Sequence, residues 1–186
     1  GTSATTLSPN KTLTRGMAAV ILYRYAGSPT AGENSRFSDV PAGAYYAKAV
    51  AWAVENGITK GTSETTFHPD ETCTRAQGVT FLYRALGKLA AAQAGFTDVA
   101  ADSYYADAVN WAAARGIVKG YDTGAFGPED SVTREQLAAI LYRYAQAKGY
   151  DTTQGGMAVR EFSDSASISD WAQEAMAWAV NAQVLS

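Results

Sequence analysis

The residues of this chain with the most chemical content are three arginines, each preceded by a threonine. Thr14-Arg15, Thr74-Arg75 and Thr133-Arg134 recur at an almost constant interval. Threonine is a good helix N-cap, which places each arginine at the first helical position. A cation is mildly unfavourable there because of the helix dipole. The same helix end leaves backbone N–H groups unpaired, and a guanidinium beside them makes a place for a carboxylate or a phosphate. The plainer reading is a bridge from the arginine to a nearby acid, Asp39, Asp98 or Asp164. Those aspartates recur too, in Phe37-Ser38-Asp39, Phe96-Thr97-Asp98 and Phe162-Ser163-Asp164. They read as turn or cap residues, as acceptors for ligand hydroxyls, or as orienters of the arginines. Trp52, Trp111 and Trp178 lie in Ala-rich stretches. An indole there either stacks on a sugar ring or fills the space that small neighbours leave in a core.

Other chemistry is poorly supplied. One cysteine, Cys73, excludes an internal disulfide and a cysteine-based zinc cage. One histidine, His68, excludes a His-rich metal site and most Ser-His-Asp arrangements. Each repeat offers one aspartate at a fixed place with no second carboxylate recurring beside it, which argues against a hydrolase pair. No catalytic residue, metal or cofactor is expected. His68 aligns with Gly127 and reads as a loop residue. Cys73 aligns with Leu13 and Val132 and reads as a small apolar filler. Asn10-Lys11-Thr12 fits a glycosylation sequon too common to weigh, and the Gly-rich loops lack a phosphate-binding GxxxxGK[ST] pattern.

These residues sit in a chain of 186 residues with 15 basic and 18 acidic side chains and a net charge of −3. That balance argues against a nucleic-acid binder, which would show a basic field. With 47% apolar and 18% charged residues the chain is globular, not disordered. No apolar run approaches the roughly 20 residues that cross a bilayer. Gly1-Thr2-Ser3-Ala4 does not read as a signal peptide.

The elements that must position the arginines are helices. Alanine makes up about a fifth of the chain, which favours them. Two blocks alternate. The Thr-Arg block ends in Leu22-Tyr23-Arg24, Leu82-Tyr83-Arg84 and Leu141-Tyr142-Arg143, with Pro9, Pro69 and Pro128 shortly before it. Thr74 with Gln77, and Thr133 with Gln136, fit a capping box, whereas Thr14 faces Met17. In the Phe-x-Asp block, Tyr46, Ala49, Val50, Ala53 and Val54 follow helical spacing. Tyr45–Trp52, Tyr104–Trp111 and Trp171–Trp178 pair at i, i+7 on a neighbouring face. Gly57 and Gly116 are placed as C-cap glycines. Stretches 28–36, 88–95 and 148–160 vary most and read as surface connections. A short extended pair near the Gly-rich loops is the only strand-like feature expected. The expected class is all-α, with half a repeat at 1–27, full repeats at 37–87 and 96–149, and half a repeat at 162–186.

The combination of Phe-Ser-Asp-Val (37–40), Ala-Trp-Ala-Val-Glu-Asn-Gly-Ile (51–58), Phe-x-Pro (67–69), Thr-Arg-Ala-Gln (74–77) and Phe-Leu-Tyr-Arg (81–84), repeated over 96–143, resembles the S-layer homology (SLH) family. The resemblance covers nearly all of the chain. It implies a pseudo-threefold helical assembly of three repeats with grooves between them. It also implies secretion, a location at the bacterial cell surface or cell wall, and non-covalent binding of secondary cell-wall polysaccharide, often pyruvylated. Carried over by position, the glycan-binding residues would be Arg15, Arg75 and Arg134, with Asp39, Asp98 and Asp164. The groove indoles would be Trp52, Trp111 and Trp178, and the loop glycines Gly61 and Gly120. The family's Thr-Arg-Ala-Glu glutamate is Met17, Gln77 or Gln136 here, and the third block stops before its loop glycine. The partner implied is wall polysaccharide, without nucleic acid or membrane insertion; self-association or exchange of half-repeats stays open. The alternative function is a structural or protein-interaction scaffold with degenerate grooves.

Overall fold

The computed structural model describes residues 3, 5–32, 36–153 and 156–186. Gly1, Thr2 and Ala4 of the N-terminal stretch, and parts of the connections at 28–36 and 148–160, lie outside them. The described residues form six α-helices: α1 Arg15–Tyr25, α2 Ala47–Glu55, α3 Arg75–Leu86, α4 Ala106–Ala114, α5 Arg134–Ala147 and α6 Gln173–Asn181. Short 3₁₀ turns at Met157–Glu161, Ser165–Ser167 and Asp170–Ala172 lead into α6. The fold is all-α.

Helices α1, α3 and α5 start as their sequences require. Thr14, Thr74 and Thr133 are extended N-caps whose hydroxyls accept from the N–H of the third helical residue, Met17, Gln77 and Gln136. Gln77 and Gln136 return a side-chain oxygen to the cap amide, completing the capping box. Met17 has no oxygen to return. Helices α2 and α4 end before Gly57 and Gly116, both at φ +66°, where a glycine relieves the left-handed conformation. The equivalent residue after α6 is Gln183, at φ +58°.

The three Thr-Arg helices are joined by a closed ring of hydrogen bonds. The Leu13 N–H donates to the Val132 carbonyl at 2.9 Å, Val132 to Cys73 at 3.0 Å, and Cys73 to Leu13 at 2.8 Å. Isolated β-bridges Thr12–Thr133, Thr14–Thr72 and Thr74–Ser131 flank the ring. Each segment is too short to be a strand, and only three of them, meeting head to tail, satisfy one another. Leu13, Cys73 and Val132 are fully buried on this pseudo-threefold axis. Burial pushes the Cys73 thiol up to about 12, so it stays protonated and behaves as an apolar side chain.

The Phe-x-Asp helices pack outside: α2 on α1, α4 on α3 and α6 on α5. A loop runs from each pair to the next cap through a buried apolar residue and a buried proline: Phe67 and Pro69, Phe126 and Pro128, Leu7 and Pro9. Phe67 packs on Phe37 with ring centroids 5.8 Å apart, and Phe126 on Phe96 at 5.6 Å. The loop at Leu7 belongs with the last block, although the two lie at opposite ends of the chain. The Ser163 N–H donates to the Thr5 carbonyl at 2.9 Å, as Ser38 does to Thr65 and Thr97 to Gly124. The first and last segments of the chain thus meet within one molecule.

Candidate functional site

Each aspartate and each arginine of the repeat holds the same short loop. The Asp98 carboxylate accepts from the Phe126 N–H at 2.7 Å and the Gly127 N–H at 2.8 Å. Asp39 accepts from Phe67 and His68, and Asp164 from Leu7 and Ser8. On the other side of that loop residue, the arginine Nε donates to its carbonyl: Arg15 to Phe67 at 2.8 Å, Arg75 to Phe126 at 3.1 Å, Arg134 to Leu7 at 2.6 Å. Among the described residues, none of these arginines makes a salt bridge to its aspartate; the two side chains clamp one peptide segment between them. Burial by itself raises the pKa of all three carboxyls. The N–H groups aimed at the carboxylates outweigh it, so each lies below its ordinary value.

The helix ends differ from the sequence expectation. Their first N–H groups are not open to an anion. The Arg15 N–H donates to the Glu71 carbonyl and the Gly16 N–H to Pro69. The Met17 N–H goes to the Thr14 hydroxyl and the Ala18 N–H to the Thr14 carbonyl. Helices α3 and α5 repeat the pattern with Asp130 and Pro128, and with Lys11 and Pro9. The loop that the aspartate and arginine clamp is therefore the cap of the helix. Side chains, not helix-end amides, are left to recognise a ligand.

Those side chains line three grooves, one between each arginine and the face of the next Thr-Arg helix. The Arg15 groove, of 360 Å³, holds Lys60, Gln77, Thr80, Arg84 and Tyr104. The Arg75 groove, of 180 Å³, holds Lys119, Gln136, Ile140, Arg143 and Trp171. The Arg134 groove, of 260 Å³, holds Lys11, Met17, Ile21, Arg24 and Tyr45. Three cations in each groove account for nine of the 15 basic residues of an acidic chain. No Asp or Glu stands among the described residues that line them. Arg15 and Arg134 are 4% and 6% exposed, and burial lowers the pKa of both, though a guanidinium keeps its charge at neutral pH. Arg15 also lies over the Phe67 ring, and Arg75 over the Phe126 and Tyr121 rings, where the π faces stabilise the cation.

The expected groove residues divide. Arg15, Arg75 and Arg134 line the grooves, and Gly61 lines the first. Gly61 sits at φ +85° against Phe37, and a Cβ there would run into the ring; Gly120 is pressed against Phe96 in the same way. The aspartates stand behind the arginines, not in the grooves. Trp52, Trp111 and Trp178 are core residues, 7%, 1% and 7% exposed, and their rings meet Tyr23, Tyr83 and Tyr142 of the partner helix. The aromatics on the groove walls are the ones seven residues earlier, Tyr45, Tyr104 and Trp171, 64%, 59% and 55% exposed. The i, i+7 pairing showed both rings in the sequence. Tyr45, Tyr104 and Trp171 lie in the turns just before α2, α4 and α6, outside the helices that carry the buried indoles, and the packing decides which ring of each pair is covered.

A further cavity, of 610 Å³, lies apart from these grooves, beside Tyr142, Met157, Arg160 and Glu174. Among the described residues no group of three or more His, Cys, Asp or Glu side chains could hold a metal ion. No described helix is long and apolar enough to cross a membrane.

Residues 36–77 and 95–138 match the S-layer homology domain. The chain is 34% identical over 151 residues to an endoglucanase of Bacillus sp. (strain KSM-635), covering 75% of this chain and 15% of that protein. It is 31% identical over 136 residues to a surface-layer 125 kDa protein of Lysinibacillus sphaericus (73% and 11%). It is 32% identical over 145 residues to a cellulosome-anchoring protein of Acetivibrio thermocellus (73% and 32%). The chain thus spans between 11% and 32% of the length of these relatives.

Proposed function

This chain belongs to the S-layer homology family, and on that premise we propose that it anchors a protein to the bacterial cell surface by binding an acidic cell-wall polysaccharide in its three grooves. One observation carries the reading. A chain of net charge −3 gathers nine cations into three carboxylate-free grooves, each with an exposed aromatic at its rim. Isolated anions in water do not need an aromatic wall; a charged sugar does, because its ring face is apolar and its substituent is not. A carboxylate on the glycan, such as a pyruvate ketal, pairs with Arg15, Arg75 or Arg134, whose planar forks suit it better than lysine would. The clamped loop keeps each arginine in place before the ligand arrives, which lowers the ordering cost of binding.

The relatives point the same way. A surface-layer protein, a cellulosome-anchoring protein and an endoglucanase share this segment, and it makes up only a small part of each. The names of two of them, a surface-layer protein and a cellulosome-anchoring protein, support attachment as the role of the segment. The test is co-sedimentation of the chain with purified wall polysaccharide, before and after mild-acid removal of pyruvate. Binding that depends on the acid group is expected. An Arg75→Ala, Arg134→Ala double variant that folds and still binds like the wild type would overturn the groove assignment.

A further inference from the structure

The three rim aromatics stand at equivalent places, one residue before the N-cap of α2, α4 or α6, but they are held there by different means. In two repeats the rim residue is a tyrosine followed by a second tyrosine. The Tyr45 and Tyr46 rings meet edge to face at 4.9 Å, and Tyr104 and Tyr105 at 5.0 Å. The rim hydroxyls also hydrogen-bond the cap threonines, Tyr45 to Thr14 and Tyr104 to Thr74. The second tyrosine needs room. A Cβ on Gly16, the second residue of α1, would lie 3.0 Å from the Tyr46 ring, and the residue at this place in α3 is the small Ala76. The third repeat reverses the sizes. Trp171 and Ala172 replace the tyrosine pair, which removes the second ring and the tethering hydroxyl together, and the second residue of α5 is Glu135.

Glu135 is 4% exposed. Its carboxylate accepts from the Ser169 hydroxyl at 2.8 Å and from the Ser169 N–H at 3.1 Å. The Asp170–Ala172 turn starts from Ser169, whose carbonyl accepts the Ala172 N–H at 2.8 Å. One side chain thus fastens the turn that carries Trp171 to the start of α5, the helix whose Gln136 and Ile140 line the Arg75 groove. The helix dipole favours a carboxylate in this first turn, and hydrogen bonds to a charged acceptor are stronger than neutral ones.

We propose that Glu135 is a positioning residue: by gripping Ser169 it holds the Trp171 indole at the rim of the Arg75 groove, in place of the ring contact and hydroxyl tether that hold Tyr45 and Tyr104. Its effect on affinity rests on the glycan reading above. An indole ordered before the ligand arrives lowers the cost of binding, so loss of the grip weakens the Arg75 groove and spares the others.

Incorporating 5-fluorotryptophan gives one fluorine signal for each of the four tryptophans, and Trp171→Phe identifies the exposed one. In the ligand-free chain, Glu135→Ala should move the Trp171 signal towards that of free 5-fluorotryptophan and leave those of Trp52, Trp111 and Trp178 in place. Glu135→Gln still has an oxygen for the Ser169 N–H and an NH₂ for its hydroxyl, and should restore the wild-type position. Ser169→Ala removes only the hydroxyl bond, from a partly exposed residue. It should shift the signal part of the way, and it carries the test if Glu135→Ala does not fold. Sonicated wall polysaccharide is then titrated into the isotope-labelled chain, followed at the amides of Lys119 and Ile140 in the Arg75 groove and of Lys60 and Thr62 in the Arg15 groove. Glu135→Ala should weaken the Arg75 groove about fivefold, the size of one aromatic contact, and leave the Arg15 groove unchanged. A Trp171 signal that stays in place in the folded variants, or an equal loss at both grooves, overturns the positioning role. If the signal moves as expected but wild type binds no polysaccharide, the positioning stands and the anchoring reading fails; if wild type binds and the signal does not move, the reverse holds.

Discussion

Replacing Asp98 by Asn tests whether the aspartates are there to hold the loop. The Asp98 carboxylate takes two short bonds, 2.7 Å from the Phe126 N–H and 2.8 Å from the Gly127 N–H, and the Phe126 side chain is fully buried. An asparagine keeps one acceptor and turns an NH₂ toward the second N–H. One charge-assisted bond is lost and the other becomes neutral, which should cost about 2–4 kcal/mol. For a domain of this size that lowers the melting temperature by about 5–15 °C. Acid should show the same interaction. The folded-state pKa of Asp98 lies below its ordinary value because the N–H bonds outweigh burial. Its contribution is therefore present above the unfolded value, about 3.9, and is lost as pH falls from there through the folded value. Denaturant melts of both proteins between about pH 6 and pH 2 provide the assay. The wild type should lose its advantage over Asp98→Asn as the pH falls through this window. A cost at pH 6 no larger than that of an ordinary surface substitution, about 0.5 kcal/mol, would refute the clamp. So would stability curves that stay parallel into acid.

Three further outcomes separate scaffold from site. Trp111→Ala should destabilise by about 3–5 kcal/mol, since its ring is 1% exposed and packed on Tyr83 and Tyr144, whereas Trp171→Ala, on the rim of the Arg75 groove, should leave the melting temperature near wild type and reduce glycan affinity by calorimetry. Gly61→Ala should cost about 1–3 kcal/mol from its left-handed backbone alone, and more from the collision of the new Cβ with the Phe37 ring; a melt within error of wild type would refute the close approach. Polysaccharide binding should weaken steadily as sodium chloride rises from about 0.05 to 0.5 M, because grooves built from cations on a net-negative chain attract an acidic glycan by screened charge, and salt-independent binding would instead assign the affinity to stacking.

Much of this protein could be read from the order of its residues. The repeat period, the cap threonines, the capping boxes at Gln77 and Gln136 and the glycines after α2 and α4 are local features or direct properties of the string. The energies of the caps depend on residues within a turn or two, so the chain determines them without reference to distant contacts. The triple recurrence of Arg15, Arg75 and Arg134 likewise marked the residues that line the grooves. The remaining decisions belong to the tertiary structure, because they depend on groups far apart in the chain. The helix-end amides looked open in the sequence and are closed by loop carbonyls of the following repeat or, at α5, by Lys11 and Pro9. The aspartates read in the sequence as turn or cap residues, ligand acceptors or orienters of the arginines, and are loop clamps, since the N–H groups they bind belong to loops on the far side of a helix or at the other end of the chain. The sequence pointed to Trp52, Trp111 and Trp178 as the groove aromatics, but packing against Tyr23, Tyr83 and Tyr142 buries them and leaves Tyr45, Tyr104 and Trp171 on the groove walls. Lys11, distant in sequence from Arg134, became its neighbour only when the first and last segments closed on each other. Local hydrogen bonding and side-chain spacing are written in sequence; which charges share a groove is settled by where the folded chain brings its segments together.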